Sequence, residues 1–362
     1  MQVNQDAQVR NYLLGKASHL GVPLSGAFEL TPRCNFNCKM CYIRMTPTEM
    51  KSGGKELTTA QWLDIARQAR QEGLLLLLLT GGEPLLRSDF PFLYEKLSHM
   101  GFSISINTNG SLLTAKVREL FDRLPPARIN ITLYGANAED YGRLCAVPDA
   151  FEIVHDNISW LKESGINCLF NFTATPWNIE SLPHVKEYAA QMGIPLRLTV
   201  YNFPPVRKVD ASGFSRLSAE CAGKLQAEHD LACKDSDYLL TRACHELPVP
   251  AQGKENKMNC YGGKSQFWIA WNGKMTPCGM LNEPLTDPLV EGFLPAWQAL
   301  KEKTAKIYLC TECAQCPKRE TCISCAAIAV AETGRFDEKP EYMCRLNNSY
   351  REHIKKSIQE NT

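Results

Sequence analysis

Three cysteines near the N-terminus, Cys34, Cys38 and Cys41, have the spacing CxxxCxxC. A protein-bound cubane cluster normally takes one cysteine thiolate on each iron, so a complete set needs four. Three thiolates on one short loop would therefore leave one iron open. An open iron can bind a small molecule, whereas a fully ligated cluster only transfers electrons.

Two other short motifs could act together with this loop. TGGEP occupies residues 80–84 and NTNG occupies residues 107–110. Glycine at 81 and 82 lets the backbone approach a ligand closely, and the Glu83 carboxylate can accept hydrogen bonds from an ammonium group. Asn107 and Asn109 can bind sugar hydroxyls. Each motif is also compatible with an ordinary turn.

A second group of cysteines lies towards the C-terminus. The chain has 16 cysteines, of which eleven lie between residues 221 and 344. Cys260 and Cys278 are followed by CxxCxxCxxxxxCxxC over residues 310–325, and then by Cys344. CxxC pairs are common zinc ligands, so one or two zinc sites are an alternative to iron. Disulfides are a poorer alternative, because we expect the chain to lie in the reducing cytosol.

The elements that must position these motifs alternate between strands and helices over residues 26–201. Thr58 and Gln61 form a predicted capping box, and Gly73 is the predicted stop of the same helix. Strands are predicted at residues 27–30, 74–79, 103–107, 129–133, 166–173 and 196–201. Helices are predicted at residues 59–71, 89–100, 115–124, 151–164 and 179–192.

This alternation predicts an α/β fold with a parallel sheet and right-handed crossovers. A closed eight-unit barrel needs about 250 residues, so six units over residues 26–201 favour a partial (βα)6 TIM-like barrel. The cysteine loop and the two motifs follow the first three strands, so they should meet at one rim. We expect four segments: an N-terminal extension 1–25, the barrel 26–203, a helical connector 204–243, and a cysteine-rich, loop-rich iron–sulfur domain 244–362.

The overall composition excludes several classes of protein. A formal net charge of +1 over 362 residues argues against nucleic-acid or membrane-surface binding, which uses a strong basic excess. The N-terminal segment MQVNQDAQVR lacks the apolar core of a signal peptide. The longest apolar run, residues 74–79, is too short to span a bilayer. These features predict a cytoplasmic protein.

Together, the cysteine loop, TGGEP and NTNG resemble the radical S-adenosylmethionine (SAM) superfamily over residues 26–201. The resemblance implies that Cys34, Cys38 and Cys41 hold a [4Fe-4S] cluster whose open iron binds the amino and carboxylate groups of SAM. One electron would cleave SAM and give a 5'-deoxyadenosyl radical, which takes a hydrogen atom from the substrate.

The same resemblance implies a set of SAM contacts. Residues 81–84 would meet the amino group, and Asn109 and Thr132 would meet the ribose and carboxylate. The residue before the third cysteine is often aromatic in this superfamily, but here it is Met40. Arg143 either pairs with the SAM carboxylate or is an ordinary surface arginine. The expected contacts are Met40, Tyr42, Gly81, Gly82, Glu83, Pro84, Asn107, Asn109, Thr132 and Arg143.

The C-terminal cysteines resemble the SPASM extension of radical SAM enzymes, which holds two auxiliary [4Fe-4S] clusters. The last step of the family pattern usually has three intervening residues, and here it has two. The resemblance implies that auxiliary cluster I uses Cys260, Cys278 and Cys325, with Cys244, Cys310 or an open iron in fourth place. It implies that auxiliary cluster II uses Cys313, Cys316, Cys322 and Cys344.

Known SPASM hosts mostly modify peptides or proteins, so we expect a crosslink or an oxidation in a ribosomal peptide or a protein. Oxidation or rearrangement of a small molecule, such as a sugar, an amino acid or a tetrapyrrole, is the alternative. Sulfatase maturation is less favoured, because those enzymes carry an acidic residue where this chain has Gly279. TGGEP and the three-cysteine loop argue against a non-enzymatic electron carrier or a zinc protein.

The expected partners are a peptide or protein substrate and an electron donor such as flavodoxin or ferredoxin. Only 33 residues precede Cys34, so we expect a separate leader-recognition protein rather than a built-in leader-binding domain. The sequence identifies no catalytic base. Tyr134, Asp140 and His245 are candidates without further support.

Overall fold

The computed structural model describes residues 5–207, 213–248, 256–258 and 260–360. Its centre is an eight-stranded sheet with the order β6-β5-β4-β3-β2-β1-β7-β8. The strands are β1 Ser25–Glu29, β2 Leu76–Thr80, β3 Ser103–Thr108, β4 Arg128–Thr132, β5 Cys168–Thr173, β6 Leu196–Thr199, β7 Gln266–Ile269 and β8 Met275–Thr276.

Helices cover the outer face of the sheet and build most of the C-terminal region. In the first half they are α1 Gln5–Leu20, α2 Pro47–Gly53, α3 Thr59–Gln71, α4 Phe90–His99, α5 Ala115–Arg123, α6 Ala138–Cys145, α7 Ala150–Glu163 and α8 Leu182–Met192. In the second half they are α9 Ala219–Cys233, α10 Ser236–Cys244, α11 Pro288–Glu291, α12 Phe293–Ala305, α13 Thr311–Gln315, α14 Ala326–Thr333 and α15 Glu341–Gln359.

The predicted alternation of parallel strands and helices is confirmed. Strands β1 to β6 pair in parallel in chain order. Helix α3 begins at the predicted capping box of Thr58 and Gln61, and it buries Trp62 and Ile65 against the sheet. Phe28 of β1 meets Trp62 with ring centroids 4.8 Å apart. Outward-facing strand residues and inward-facing helix residues therefore form one core.

The two faces of the sheet differ in polarity. In β4, Ile129 and Ile131 belong to the core beneath the helices. The alternate residues Asn130 and Thr132 lie on the other face, because side chains alternate along a strand. That face is the inside of the partial barrel. The inside is therefore polar next to the rim, where a charged or polar ligand would bind.

Two features of the sheet were not predicted. Strand β7 pairs in parallel with β1, and β8 pairs antiparallel with β7. Both strands come from the cysteine-rich region that we expected to be a separate, loop-rich domain. Residues 266–276 therefore extend the sheet of the barrel and bring the Cys278 loop to the side of β1.

The structure also adds to the sequence prediction at three helices, α6, α9 and α10. Helix α6 was missed, although Tyr141, Leu144 and Cys145 are buried on it. The predicted connector contains α9 and α10, which share a small apolar core with Ile354 of α15. Residues 208–212 of that connector lie outside the described residues. None of the described helices is both long and apolar enough to cross a membrane.

Candidate active site

The cysteine loop follows β1 at the carboxyl edge of the sheet. It is held in place by the end of α6, where the backbone N–H of Asn37 donates to the Cys145 carbonyl at 3.1 Å. The N–H of Lys39 donates to the Leu144 carbonyl at 3.0 Å. The missed helix α6 is therefore a support for this loop.

Backbone N–H groups lie next to two of the three cysteine sulfurs. The Phe36 N–H lies 3.4 Å from the sulfur of Cys34, and the Arg44 N–H lies 3.2 Å from that of Cys41. Each of the three cysteine residues is partly exposed. Burial raises the pKa of Cys34 to about 12. Because iron binds the thiolate, a cluster held by this residue would displace the proton of its thiol.

Cys38 has a different environment. Contact with the Cys145 thiol, followed by burial, raises the pKa of Cys38. The Tyr134 hydroxyl is also a hydrogen-bond partner of Cys38, and burial raises the pKa of Tyr134. A phenol that stays neutral and is bonded to the Cys38 sulfur fits a supporting role for Tyr134 better than that of a base.

The two glycines of TGGEP interlock with the cysteine loop. The Gly82 N–H donates to the Thr31 carbonyl at 2.7 Å, and the Glu83 N–H donates to the Arg33 carbonyl at 2.9 Å. A Cβ on Gly81 would collide with the Thr31 carbonyl, and a Cβ on Gly82 with that of Arg33. The two rim loops can therefore pack this closely only because residues 81 and 82 have no side chains. Contact of residues 81–84 with SAM stays a prediction.

Glu83 joins the second rim loop to the third. Its side chain has no solvent exposure. The carboxylate accepts hydrogen bonds from the N–H of Leu85 at 3.0 Å, the hydroxyl of Thr108 at 2.9 Å and the N–H of Asn109 at 2.8 Å. Burial raises the pKa of Glu83 to about 7. Its predicted contact with an ammonium group is not tested by these bonds.

Asn109 connects the third rim loop to the cysteine loop. Its side-chain amide lies 2.9 Å from Oδ1 of Asn35 and 3.8 Å from the sulfur of Cys34. Its own Oδ1 accepts from the Ser111 N–H at 2.9 Å. The rim loops and the cysteine loop therefore meet as the sequence predicts.

Asn130, inside the barrel, was missed by the sequence analysis. It is 6% exposed and its Nδ2 donates to Oδ1 of Asn107 at 2.7 Å. Its Oδ1 is buried without a hydrogen-bond partner, which is costly unless a ligand or water supplies one. The polar alternation of β4, RINIT, was the available signal. Thr132 lies two residues further towards the rim on the same face.

The other candidate residues of the sequence prediction have varied surroundings. Arg143 bonds to Asp140 at 2.6 Å and to Ser181 at 3.3 Å, so both Arg143 and Asp140 are engaged within the protein. Met40 packs against the main core. Burial raises the pKa of Tyr42. His245 lies on the surface, 2.6 Å from Glu320.

Two cavities accompany the C-terminal cysteines. One of about 570 Å³ is lined by Cys260, Cys310, Cys313, Cys322 and Cys325. One of about 410 Å³ is lined by Cys313, Cys316, Cys322 and Cys344. The second set coincides with the four cysteines expected for auxiliary cluster II. Cysteine thiols lining a cavity are the donor set that iron–sulfur clusters use, so these residues fit such clusters.

The first cavity narrows the alternatives for auxiliary cluster I. Burial raises the pKa of Cys278, and the nearby Cys325 and Cys260 raise it further. These three cysteines are therefore neighbours. Cys310 lines the cavity and also contacts Cys313. Cys244 is exposed on α10 and is absent from both linings.

Among the described residues, no three His, Cys, Asp or Glu side chains are arranged to hold a single metal ion.

A buried ion pair joins the barrel to the C-terminal region. Arg207 donates to the Glu29 carboxylate at 2.9 Å and to the Gly279 carbonyl at 3.0 Å. The indole N–H of Trp268 also donates to Glu29, at 2.9 Å. None of these three side chains was predicted, because they are far apart along the chain and belong to no motif.

Comparisons with known proteins agree with this geometry. Residues 28–189 match the model of the radical SAM superfamily. The chain is 26% identical to an AdoMet-dependent heme synthase of Methanosarcina barkeri over 87% of its own length and 95% of that protein. It is 26% identical to a PqqA peptide cyclase of Bradyrhizobium diazoefficiens, over 72% of this chain and 68% of that one.

Solved structures show the same fold. Streptococcus suis SuiB bound to S-adenosylmethionine has a TM-score of 0.63 at 18% identity, covering 93% of this chain and 79% of SuiB. The enzyme anSMEcpe with bound AdoMet and the Kp18Cys peptide has a TM-score of 0.68 at 15% identity, covering 94% and 100%. Residues 28–189 are thus similar to the radical SAM superfamily, and the chain shares the fold of SuiB and anSMEcpe.

Proposed function

We propose that this enzyme abstracts a hydrogen atom from a side chain or the backbone of a peptide or protein, giving a crosslink or an oxidation. The observation that carries the proposal is the interlocked rim, where TGGEP and NTNG hold a three-cysteine loop at the carboxyl edge of the sheet. When bound, the cluster would supply the electron that splits SAM into methionine and the 5'-deoxyadenosyl radical.

The protein's own residues would bind and orient SAM. Asn107, Asn130 and Thr132 line the inside of the barrel next to the rim, and the unpartnered Oδ1 of Asn130 can accept a hydrogen bond there. Glu83 orients the second and third rim loops through its three hydrogen bonds. Met40 and Tyr42 on the cysteine loop would contact the adenine.

Relatives support a peptide substrate. Two of them are PqqA peptide cyclases, and SuiB has been solved bound to its precursor peptide SuiA. An auxiliary cluster pair would suit a reaction in which a product radical loses one electron. We further propose a separate leader-recognition protein and a flavodoxin- or ferredoxin-like electron donor.

Anaerobic reconstitution with iron, sulfide, SAM and candidate precursor peptides, followed by mass spectrometry, tests the proposal. A loss of about 2 Da, as in a new crosslink or an oxidation, is expected on the peptide, together with 5'-deoxyadenosine. The variant lacking Cys34, Cys38 and Cys41 should form neither product. If SAM is cleaved while no peptide or protein is ever changed, the substrate class is wrong.

A tetrapyrrole substrate is the second candidate. The two AdoMet-dependent heme synthases align with 87% and 85% of this chain, further than either peptide cyclase. The same reconstituted enzyme can be incubated with porphyrin precursors of heme. Heme detected by its absorbance and mass would favour this candidate over peptide modification.

Sulfatase maturation stays the less favoured alternative. The position after Cys278 is Gly279, and a Cβ there would lie 2.8 Å from the ring of Trp268. An acidic residue in that place needs a different packing of the indole.

A further inference from the structure

We propose that the buried ion pair of Arg207 and Glu29 adjusts the reduction potentials of the SAM cluster and auxiliary cluster I, because its charges lie between their ligand loops. The inference rests on the proposed function, in that it takes Cys278 to be a ligand of auxiliary cluster I. Arg207 is in this view a positioning and tuning residue that does not touch substrate.

Arg207 is bonded to both ligand loops. Its Nη2 donates to the carbonyl of Gly279, the residue after Cys278, at 3.0 Å. Its backbone N–H and that of Val206 donate to the carbonyl of Tyr42, the residue after Cys41, at 3.3 and 2.8 Å. Each of these partners is therefore one residue away from an expected iron ligand.

The neighbouring Asn282 completes this attachment. Arg207 Nη1 donates to its Oδ1 at 2.9 Å, and its Nδ2 donates back to the Val206 carbonyl at 2.7 Å. Five hydrogen bonds thus connect residues 206 and 207 with the two ligand loops. The guanidinium is bonded to the Cys278 loop, and the backbone that carries it is bonded to the Cys41 loop.

The two charges are shielded from solvent. The Glu29 side chain is fully buried and that of Arg207 is 7% exposed. Trp268 covers the pair and donates its indole N–H to Glu29 at 2.9 Å. The Tyr42 phenol lies close enough to Cys41, Glu29, Arg207 and Cys278 for its pKa to respond to each. Charges in such surroundings act over longer distances than surface charges do.

The sign of the effect follows from the electron that a cluster gains on reduction. A nearby cation favours the reduced cluster, and a nearby anion disfavours it. Arg207→Met leaves Glu29 unbalanced, so both potentials should fall. Glu29→Gln leaves Arg207 unbalanced, so both should rise. The double variant removes both charges and should return to the wild-type values.

The size of the effect can be estimated from Coulomb's law. One unbalanced charge within about 10 Å at an effective dielectric near 20 changes an equilibrium roughly tenfold. The ratio of reduced to oxidised cluster at a fixed applied potential should change by that factor. For a one-electron couple, a tenfold change corresponds to about 59 mV.

The experiment is an anaerobic redox titration of the reconstituted proteins, followed by electron paramagnetic resonance, with iron content measured on each sample. Arg207→Lys keeps the charge and loses the fork of hydrogen bonds, so near-wild-type potentials in this variant would separate charge from geometry. Arg118→Met is the matched control. Arg118 also bonds a backbone carbonyl, that of Leu113, and its partners are not adjacent to an expected ligand.

Opposite shifts in the two single variants, with recovery in the double variant, would support the inference. Unchanged potentials in Arg207→Met and Glu29→Gln, at wild-type iron content, would overturn it. Iron corresponding to one cluster alone in the wild-type protein would instead refute the auxiliary clusters. The response of the SAM cluster would still decide the role of the ion pair.

Discussion

Glu83 should make the metal-free protein less stable as the pH rises. Its pKa in the folded chain is raised from 4.5 to about 7 by burial, whereas the unfolded chain should titrate near the ordinary value. The folded state therefore holds an extra proton between these two values. Where the folded state binds more protons, the free energy of unfolding falls with rising pH.

The magnitude follows from the two pKa values. A difference of about 2.5 units corresponds to roughly 3 kcal/mol at about 1.4 kcal/mol per unit. This contribution is absent below about pH 4.5, grows through the window up to about pH 7, and is constant above it. Other titrating groups add their own pH dependence, so the wild-type profile alone cannot isolate Glu83.

Glu83→Gln isolates the group because glutamine does not titrate. Its Oε1 can keep the hydrogen bonds from Leu85 and Thr108, while its amide would face the Asn109 N–H in place of Oε2. That lost bond adds a pH-independent cost of about 1–3 kcal/mol. The difference between the two proteins should therefore move by about 3 kcal/mol in favour of the variant between about pH 4.5 and pH 8.

The assay is urea unfolding of the chelator-treated protein, kept anaerobic and reduced, at several pH values across that range. The quantity compared is the difference in the free energy of unfolding, not either value alone. Parallel profiles for wild type and Glu83→Gln would refute the reasoning, because they would mean that Glu83 titrates alike in the folded and unfolded chains.

Three further predictions concern packing and metal content. Gly82→Ala forces a Cβ onto the Arg33 carbonyl, so it should lower the free energy of unfolding in urea by about 1–3 kcal/mol. The control Gly15→Ala has nothing within 4 Å of its Cβ and should be neutral or stabilising. Equal effects of the two changes would contradict the interlocked loops. Trp62→Ala should cost about 3–5 kcal/mol, since Trp62 is fully buried, and a loss below about 1 kcal/mol would refute its place in the core. Cys344→Ala should lower the iron content by up to about four per chain while leaving SAM cleavage in place, and unchanged iron would remove Cys344 from auxiliary cluster II.

The barrel was largely predictable because its signals are local. The capping box at Thr58, the buried face of α3 and the turn glycine at 73 each depend on neighbours within a few residues. The meeting of the three rim loops was also predictable, because parallel strands place their carboxyl ends at one edge. Their detailed contacts were not predictable, such as the three donors around Glu83.

The errors lie where distant segments pack together. Helix α6 has no strong boundary signal, and it is stabilised by burying Tyr141 and Cys145 behind the cysteine loop. Strand β7 was not predicted, because a strand of four residues carries little periodicity. Its place beside β1 is set by pairing over more than 200 residues of chain.

The sequence by itself determined which donor atoms stand at which spacings, in CxxxCxxC, in TGGEP and in the later cysteines. It also determined the parallel alternation of strands and helices. Only the tertiary structure decided how the two cysteine-rich parts are joined, through Arg207, Glu29 and Trp268. Burying a charged pair requires partners from several segments at once, and no local pattern in the chain records such a meeting.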